Sequence, residues 1–566
     1  MPATRHRTGY GHGLDAPVVV VGGGPVGLTL AMDLATRGVR VIVLERRYRG
    51  EPPGVKCNHV SARSMETFRR LGLADTLRGA GLPRDFPHDA AYRTSVLGFE
   101  LSRTILPSPE GRAAGAPGAD TWWPTAEPPH RINQRFMEPL VVEHAAALPQ
   151  LDLRNRTEVL EVSQDDECVT AVAQDLESGE DFVLRCEFLV GCDGPRSLVR
   201  RAIGARLDGP PLVGQVQSTL IRAPDLLARL GDGRAWTFGL WNRRRSGAVF
   251  AIDGREQWLV HTGVGPGESF EALDRDSALR ALLGVDDDFE YEIVSIEDYE
   301  GRGLVADRFR DRRIMLAGDA AHLWLPFAGY GMNAGIADAA DLSWQLAGHL
   351  QGWAGAGLLD AYQRERQPVT AQVARYAMGL FSEVIRMAGS VPAAIEDSTP
   401  EGERARAEFG RWAYEVNTPQ YACGGLNFGT FYDNSPIIAY DGEPPPPYTL
   451  DQFTVSTVPG CRVPHVVLDG APLYDLLGPW FTLLRTNPAV DAEPLLGAAA
   501  HRGVPMQLVD LSGPEVERCY DRAMLIARPD QHVGWRGDQP PSDPLSVIDR
   551  LRGADGNASA SAAAAA

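Results

Sequence analysis

Four consecutive valines, Val18 to Val21, open the first strongly patterned stretch of the chain, VVVVGGGPVGLTLAMDLATRGVRVIVLE. An unbroken β-branched run predicts a strand buried on both faces. After a glycine-rich turn, Leu28, Leu30, Leu34 and Ala35 mark an amphipathic helix that stops at Gly38. A second β-branched run, Val39 to Leu44, delivers Glu45. Helical spacing returns at Met65, Phe68, Leu71 and Leu73, and in RINQRFMEPLVVEHAAAL through Phe136, Leu140, Val141 and Ala145. Residues 151–190 alternate like antiparallel strands and end in the apolar run FLVGC. Over 205–300 strand-like pieces dominate (GQVQSTLIRA, AWTFGLW, GAVFAID, QWLVHTGV). The buried strand IMLAG then leads into a long helix carrying Ile336, Ala340, Leu342, Trp344 and Leu346. Helical, acidic sequence continues to about 410, and a proline-rich stretch with EPPPPY follows. FTLLR, PMQLVDL, AMLIARPD and HVGWRG predict a further small α/β unit.

These elements predict an α/β chain of several units. A dinucleotide-binding unit spans 17–204 and 301–410, with an insertion at about 80–130 that belongs to a substrate unit. That substrate unit is an antiparallel sheet over 205–300. Residues 411–460 are a linker and 461–552 the last unit. Residues 1–16 read as a flexible extension and 553–566, with GNASASAAAAA, as a disordered tail. The 566 residues, 44% hydrophobic, suffice for such cores. The net charge of −19 argues against nucleic acid and anionic membranes as partners. Seven cysteines without a C-x-x-C pair indicate neither disulfide framework nor zinc site, so no metal is expected and the compartment reads as cytoplasmic. No apolar run reaches the roughly 18 residues of a membrane span.

Candidate chemistry sharpens the picture at two places. Gly22, Gly24 and Gly27, with Pro25 between them, have G-x-G-x-x-G spacing between strand and helix. The first glycine permits the turn, the second lets a pyrophosphate approach the backbone, and the third lets helix pack on strand. Glu45 is placed for a ribose diol. The motif alone does not choose between FAD and NAD. At the second place Asp319 follows a buried strand, and Gly331, Met332 and Asn333 open a helix whose N–H groups suit an anionic ring edge or a phosphate. Asp193 likewise ends a buried strand, with a plain Asp-Gly turn as the alternative. Arg63 and Gln134 stand at helix starts beside potential anion sites; a solvated arginine is the other reading of Arg63. Trp236, Phe238, Trp241, Phe250 and Trp258 supply an apolar face for a flat aromatic ligand. His261, on the same strands, reads first as a structural histidine. Trp122 and Trp123 read as wall or core.

Three fingerprints together resemble the FAD-dependent aromatic hydroxylases, the para-hydroxybenzoate and phenol hydroxylase class with its chlorophenol and polyketide branch. They are Gly22, Gly24, Gly27 with Glu45; Asp193, Gly194, Ser197 and Arg200; and Gly318 to His322, Pro326 and Gly331 to Asn333. KCNHVSARSMETFRRLGL looks like the stretch after the first fingerprint in the chlorophenol branch. RVPHVVLDG, LYDLLGPWFTLL and ARPDQHVGWRG resemble the thioredoxin-like C-terminal domain of larger members. The resemblance implies a Rossmann-like FAD domain interleaved with the substrate sheet. Glu45 would hold the adenosine ribose, and Arg46, Arg63 and Gln134 the phosphates or ribityl chain. Gly318 and Asp319 would meet the ribityl hydroxyls, the Met332–Asn333 backbone would hold the isoalloxazine edge, and Asp193 would influence both flavin and nicotinamide. It further implies a monooxygenase using NADPH or NADH as transient reductant and O2 as co-substrate. A phenolic or polycyclic aromatic small molecule would be hydroxylated through a flavin C4a-hydroperoxide, with a homodimer left open. Where phenol hydroxylases place an acid this chain has Asn58, so the base stays open among His59, His261 and the Pro326 carbonyl. A Baeyer–Villiger-type oxygenase and a flavoprotein that sequesters an intermediate without oxygenating it are the alternative readings.

Overall fold

The computed structural model describes residues 13–265 and 267–554. The extension expected over 1–16 and the tail expected over 553–566 therefore lie largely outside the described residues.

Three large sheets organise the chain. The first has a parallel core that runs, in spatial order, Ile314–Leu316, Asp181–Gly191, Ala16–Val21, Val41–Leu44 and Leu151–Arg154. Val18 sits between Val41 on one neighbour and Phe188 on the other. A strand flanked on both edges and covered on both faces must be apolar throughout. Ala16–Val21 and Val41–Leu44 are accordingly buried at every residue. The helices Pro25–Thr36 and Gly331–Leu350 contribute Leu28, Leu30, Ile336, Leu342 and Leu346 to the same core. Their N-terminal turns start at the carboxyl ends of the parallel strands, where open α/β sheets bind ligands.

The second sheet runs Glu292–Ile296, Gly214–Arg222, Gln257–Gly263, Ser246–Ala251, Thr237–Trp241, Ala90–Arg93 and Glu100–Thr104. It is antiparallel except where Ala90–Arg93 lies parallel to Thr237–Trp241. Strand alternation divides its residues between two faces. Phe238, Trp258 and Val260 turn to the helix Arg275–Leu283 and pack with Leu279 and Leu282. Leu220 and Leu259 pack with Ile252 and Val55 on the opposite face, and Phe250 joins them.

The third sheet, Met506–Asp510, Phe481–Arg485, Met524–Ala527 and Val533–Gly537, has one parallel and two antiparallel pairings. Helices Glu493–His501 and Pro544–Leu551 cover one face, and Pro514–Cys519 the other, in a thioredoxin-like arrangement. Phe481 of this sheet packs against Trp344 and Trp353, which joins the unit to the helices of the first sheet.

The segment read as a linker from 411 is helical at its start: one helix runs Pro400–Tyr421. Thr399 caps it, accepting from the Gly402 N–H at 3.2 Å, and Phe409, Ala413 and Asn417 are buried along one side. Pro419 lies in the last turn and forgoes one N–H···O bond of the helical ladder. Beyond it Cys423, Leu426, Ile437 and Ile438 are buried, so this stretch is packed into the protein rather than spanning between units.

Candidate active site

Gly22 has φ +107°, and a Cβ there would lie 2.3 Å from the Cys192 carbonyl oxygen. A Cβ on Gly27 would lie 2.0 Å from the Gly22 oxygen. Both positions therefore require glycine. Gly24 differs: it is the N-cap of Pro25–Thr36, makes no side-chain cap bond, and has open space where its Cβ would be. The first-turn N–H groups of that helix thus face an open site with the positive end of the helix dipole. Glu45 stands beside it. One of its carboxylate oxygens accepts from the Gly23 N–H at 2.7 Å, the other from the Arg47 N–H and Nε.

Arg47 also reaches Glu138 at 2.6 Å, and Glu138 accepts from Gln134 Nε2 at 2.8 Å. Glu45 and Gln134, 89 positions apart by their residue numbers, are thereby joined in one chain of polar contacts. Arg46 is not part of it. Its side chain is 71% exposed and only 3.9 Å contact with Glu158 holds it, because consecutive residues leaving a strand point to opposite sides. Arg63 is also placed elsewhere than expected. Its guanidinium donates to Thr430 and approaches the His532 ring, so it ties the helix Ala62–Arg70 to the C-terminal part of the chain.

The second glycine turn is set by an ion network that sequence reasoning missed. Asp338, fully buried on Gly331–Leu350, accepts from the Gly318 N–H at 3.1 Å, His322 Nε2 at 2.7 Å and Arg366 Nε at 2.9 Å. Burial raises its carboxyl, but His322 and Arg366 outweigh burial and hold it below the usual carboxylate range. The only sequence signal was an acid on the buried side of an apolar helix. Asp319, next to the clamped Gly318, is exposed to solvent and makes no side-chain hydrogen bond among the described residues. It lies in a deep recess, where protein crowding raises its carboxyl above the ordinary value despite His322 and Lys56.

Asn333 acts through its side chain. Oδ1 accepts from the Ser61 N–H at 2.8 Å, and Nδ2 donates to the His59 oxygen at 3.1 Å and the Gly329 oxygen at 2.6 Å. The N-cap of its helix, Tyr330, makes no side-chain cap bond, and the N–H groups of Gly331, Met332 and Asn333 are those of the first turn. Asp193 is committed locally: its carboxylate accepts from Ser197 Oγ at 2.5 Å and from the N–H groups of Leu198 and Val199 at 2.7 and 3.2 Å. Arg200 of the same motif donates to the Ala320 oxygen at 2.9 Å, beside Asp319. The Asp193 motif thus shapes the backbone around the site rather than presenting a carboxylate to it.

The sheet brings only part of the expected aromatic face to this site. Trp236 meets His59 at 6.3 Å between ring centroids, Phe250 at 5.8 Å and Tyr421 at 5.8 Å. His261 packs edge-to-face on Phe250 and Tyr299. Phe238 and Trp258 are instead fully buried core residues packed with Leu279 and Leu282, and Trp241 packs with Tyr92 and Phe409. Burial pushes His261 down to about 4, so it is neutral near pH 7, and pushes the Tyr421 hydroxyl up to about 12. Asn58 Oδ1 accepts from Asn133 Nδ2 at 2.5 Å. The Pro326 carbonyl accepts from the Gly329 N–H at 3.2 Å within a short 3₁₀ turn, so one of its lone pairs is already used. A Cβ on Gly329 would lie 3.2 Å from His59 Nδ1. His59 therefore stands between the Gly329 turn and Trp236, where cofactor-facing backbone meets aromatic wall. Trp122 stacks on Phe453 at the surface, and Trp123 packs on Phe428 in a small buried cluster with Ala62 and Ala422.

Comparison with known proteins agrees with this construction. The chain is 30% identical over 549 residues to the FAD-dependent monooxygenase apdD of Emericella nidulans, covering 92% of this chain and 87% of that protein. Among solved structures, RebC with bound 7-carboxy-K252c superposes with a TM-score of 0.88 at 34% identity, over 96% of this chain and 99% of that one. A ternary complex of aklavinone-11 hydroxylase with FAD and aklavinone gives 0.78 at 28% identity, over 95% and 99%. Among the described residues no helix is long and apolar enough to cross a membrane. A family model described as FAD binding domain matches residues 15–377, and with that match the chain belongs to this family and is an FAD-dependent monooxygenase.

Proposed function

We propose that the protein hydroxylates a phenolic or polycyclic aromatic small molecule, consuming O2 and NAD(P)H. The balance is one oxygen atom into a ring C–H bond and the other into water, with two electrons from the nicotinamide. The supporting observation is the junction at His59: an aromatic wall of Trp236, Phe250, Tyr421 and His261 begins where the Gly329 turn and the Gly331–Leu350 N-terminus end. The relatives act on such compounds, as the aklavinone complex illustrates.

The residues present fit FAD. The open first turn of Pro25–Thr36 would take the pyrophosphate, Glu45 the ribose, Asp319 the ribityl hydroxyls, and the N–H groups at Gly331 to Asn333 the ring edge. Bound there, FAD supplies the electron transfer between nicotinamide and O2 that no side chain can perform. The chain's own share is orientation, exclusion of water and control of a phenolic proton. His261, neutral and facing the wall through Phe250, offers a hydrogen-bond acceptor that orients a phenol hydroxyl; Tyr421, kept protonated, is a donor to a ring oxygen.

The test is NAD(P)H consumption by flavin-loaded protein with a panel of phenols and polycyclic aromatics, with product structures determined. Substrate-stimulated oxidation with an added ring hydroxyl supports the reading. A ring-expanded lactone would replace it with a Baeyer–Villiger outcome, and tight binding without stimulated oxidation would replace it with sequestration.

A further inference from the structure

Arg131 is the unusual cation of this protein. It is 2% exposed, and its guanidinium makes no hydrogen bond or ion pair among the described residues; Nη1 is a buried donor without a partner. The other buried arginines, Arg37, Arg200, Arg366, Arg462, Arg528 and Arg536, each meet a carboxylate or a carbonyl oxygen. Leaving a buried charge uncompensated is strongly destabilising. A fold that keeps one has a use for it.

What surrounds Arg131 identifies the use. Its guanidinium carbon lies 4.1 Å from the Trp236 ring centroid, over the same ring that meets His59, Phe250 and Tyr421. His59 meets the same Trp236 ring and borders the Gly329 turn, which sets the guanidinium beside the aromatic wall at that turn. The acid that acts most on its charge, Asp120, is taken by Arg112 at 2.8 Å. Arg78, in the same neighbourhood, is taken by Glu127 at 2.9 Å. His88 adds a buried ring nitrogen, Nε2, without a partner, again in the field of Arg131. Burial pulls Arg131 down only to about 10, so it keeps its charge at neutral pH. One net positive charge therefore remains beside the wall, with a planar fork of donors on an aromatic face.

The geometry points to a carboxylate on the aromatic substrate as the missing partner of Arg131, which makes Arg131 the residue that selects acids among ring systems of equal shape. This rests on the hydroxylase reading above. Charge-assisted, paired N–H···O bonds to a carboxylate in a water-poor site discriminate strongly against a neutral isostere.

The experiment uses FAD-loaded protein and matched pairs of hydroxylated aromatic carboxylic acids and their primary amides, with two, three and four fused rings. Dissociation constants are read from the perturbed flavin absorbance, and NAD(P)H oxidation is followed in parallel. The wild type should bind the acid of the best pair at least about 10-fold more tightly than its amide. R131M should bring that ratio close to one, and R131K should retain part of it. Flavin content and circular dichroism of each variant report folding, and the wild-type ratio needs no variant. Equal binding of acid and amide by the wild type, or an unchanged ratio in R131M, overturns the inference. If amides and acids stimulate oxidation equally, the hydroxylase reading survives without it. If no ring compound stimulates oxidation, that reading fails and takes the inference with it.

Discussion

Replacing Asn333 tests how the cofactor-facing helix is held. Its amide makes three hydrogen bonds, to the Ser61 N–H and to the His59 and Gly329 oxygens, and the residue is 2% exposed. At about 1 kcal/mol net per bond, N333A costs roughly 3 kcal/mol, and more where the Ser61 N–H is left buried without an acceptor. The three segments converge on the N-terminus of Gly331–Leu350, so most of that cost should fall on the arrangement that binds FAD. Three kcal/mol on binding is about 100-fold in dissociation constant. The direction of the bonds gives a sharper test. In N333D an oxygen replaces Nδ2 and faces two carbonyl oxygens, while the Ser61 bond is kept. N333D should therefore bind FAD no better than N333A near pH 7 and improve as acidification restores a donor. The assay is FAD titration of stripped protein by flavin fluorescence from pH 5 to 8. If N333D matches the wild type at pH 7, the amide does not hold these segments as described.

Four further outcomes follow from the packing. Arg528 is fully buried among Glu365, Asp530 and Asp341, so R528M should lower the denaturation midpoint sharply, on the order of 3–5 kcal/mol, measured by urea unfolding of the C-terminal part through tryptophan fluorescence. Burial, then Glu365 and Asp530, hold the Asp341 carboxyl well above its ordinary 3.8, so its contribution is intact below that pH and is lost as pH rises toward the folded value; D341N should stabilise at pH 8 and do little at pH 4. R47A should weaken FAD binding and R46A should leave it within about twofold, because only Arg47 holds Glu45 and Glu138; equal losses in flavin titrations would contradict the geometry. W236A should abolish ligand-induced flavin perturbation while retaining FAD, whereas F238A should cost about 3–5 kcal/mol of stability and leave that perturbation in place, and reversed phenotypes would mean that Trp236 does not line the cleft.

The cofactor half of this molecule is legible in sequence because its signals are backbone signals. A positive φ at Gly22 and contact of Gly27 with the Gly22 oxygen leave glycine as the only solution, and an unbroken valine run has one place to go in a parallel sheet. Side chains that work at a distance leave no such trace. The Glu45–Arg47–Glu138–Gln134 chain, the Asp338 clamp on Gly318 and the Asn333 bridge each join segments that come together only on folding. The substrate half is harder still, because alternation sorts a strand's residues into two faces without saying which face meets the cleft. Trp236 and Phe238 are two positions apart and share one core cluster, yet only the Trp236 ring, just ahead of the strand, also meets His59 and Tyr421. Tyr421 comes from the end of a helix that began at Pro400, and Arg131 from the short bridge of His130 to Val60, so no spacing relates either to Trp236. What marks Arg131 is a missing partner, and a partner is missing only once every other residue has found its place. Specificity in this fold therefore has to be sought where the packed structure leaves a charge unanswered, and the ligand that answers it is then constrained in sign, in geometry and in distance from the ring it accompanies.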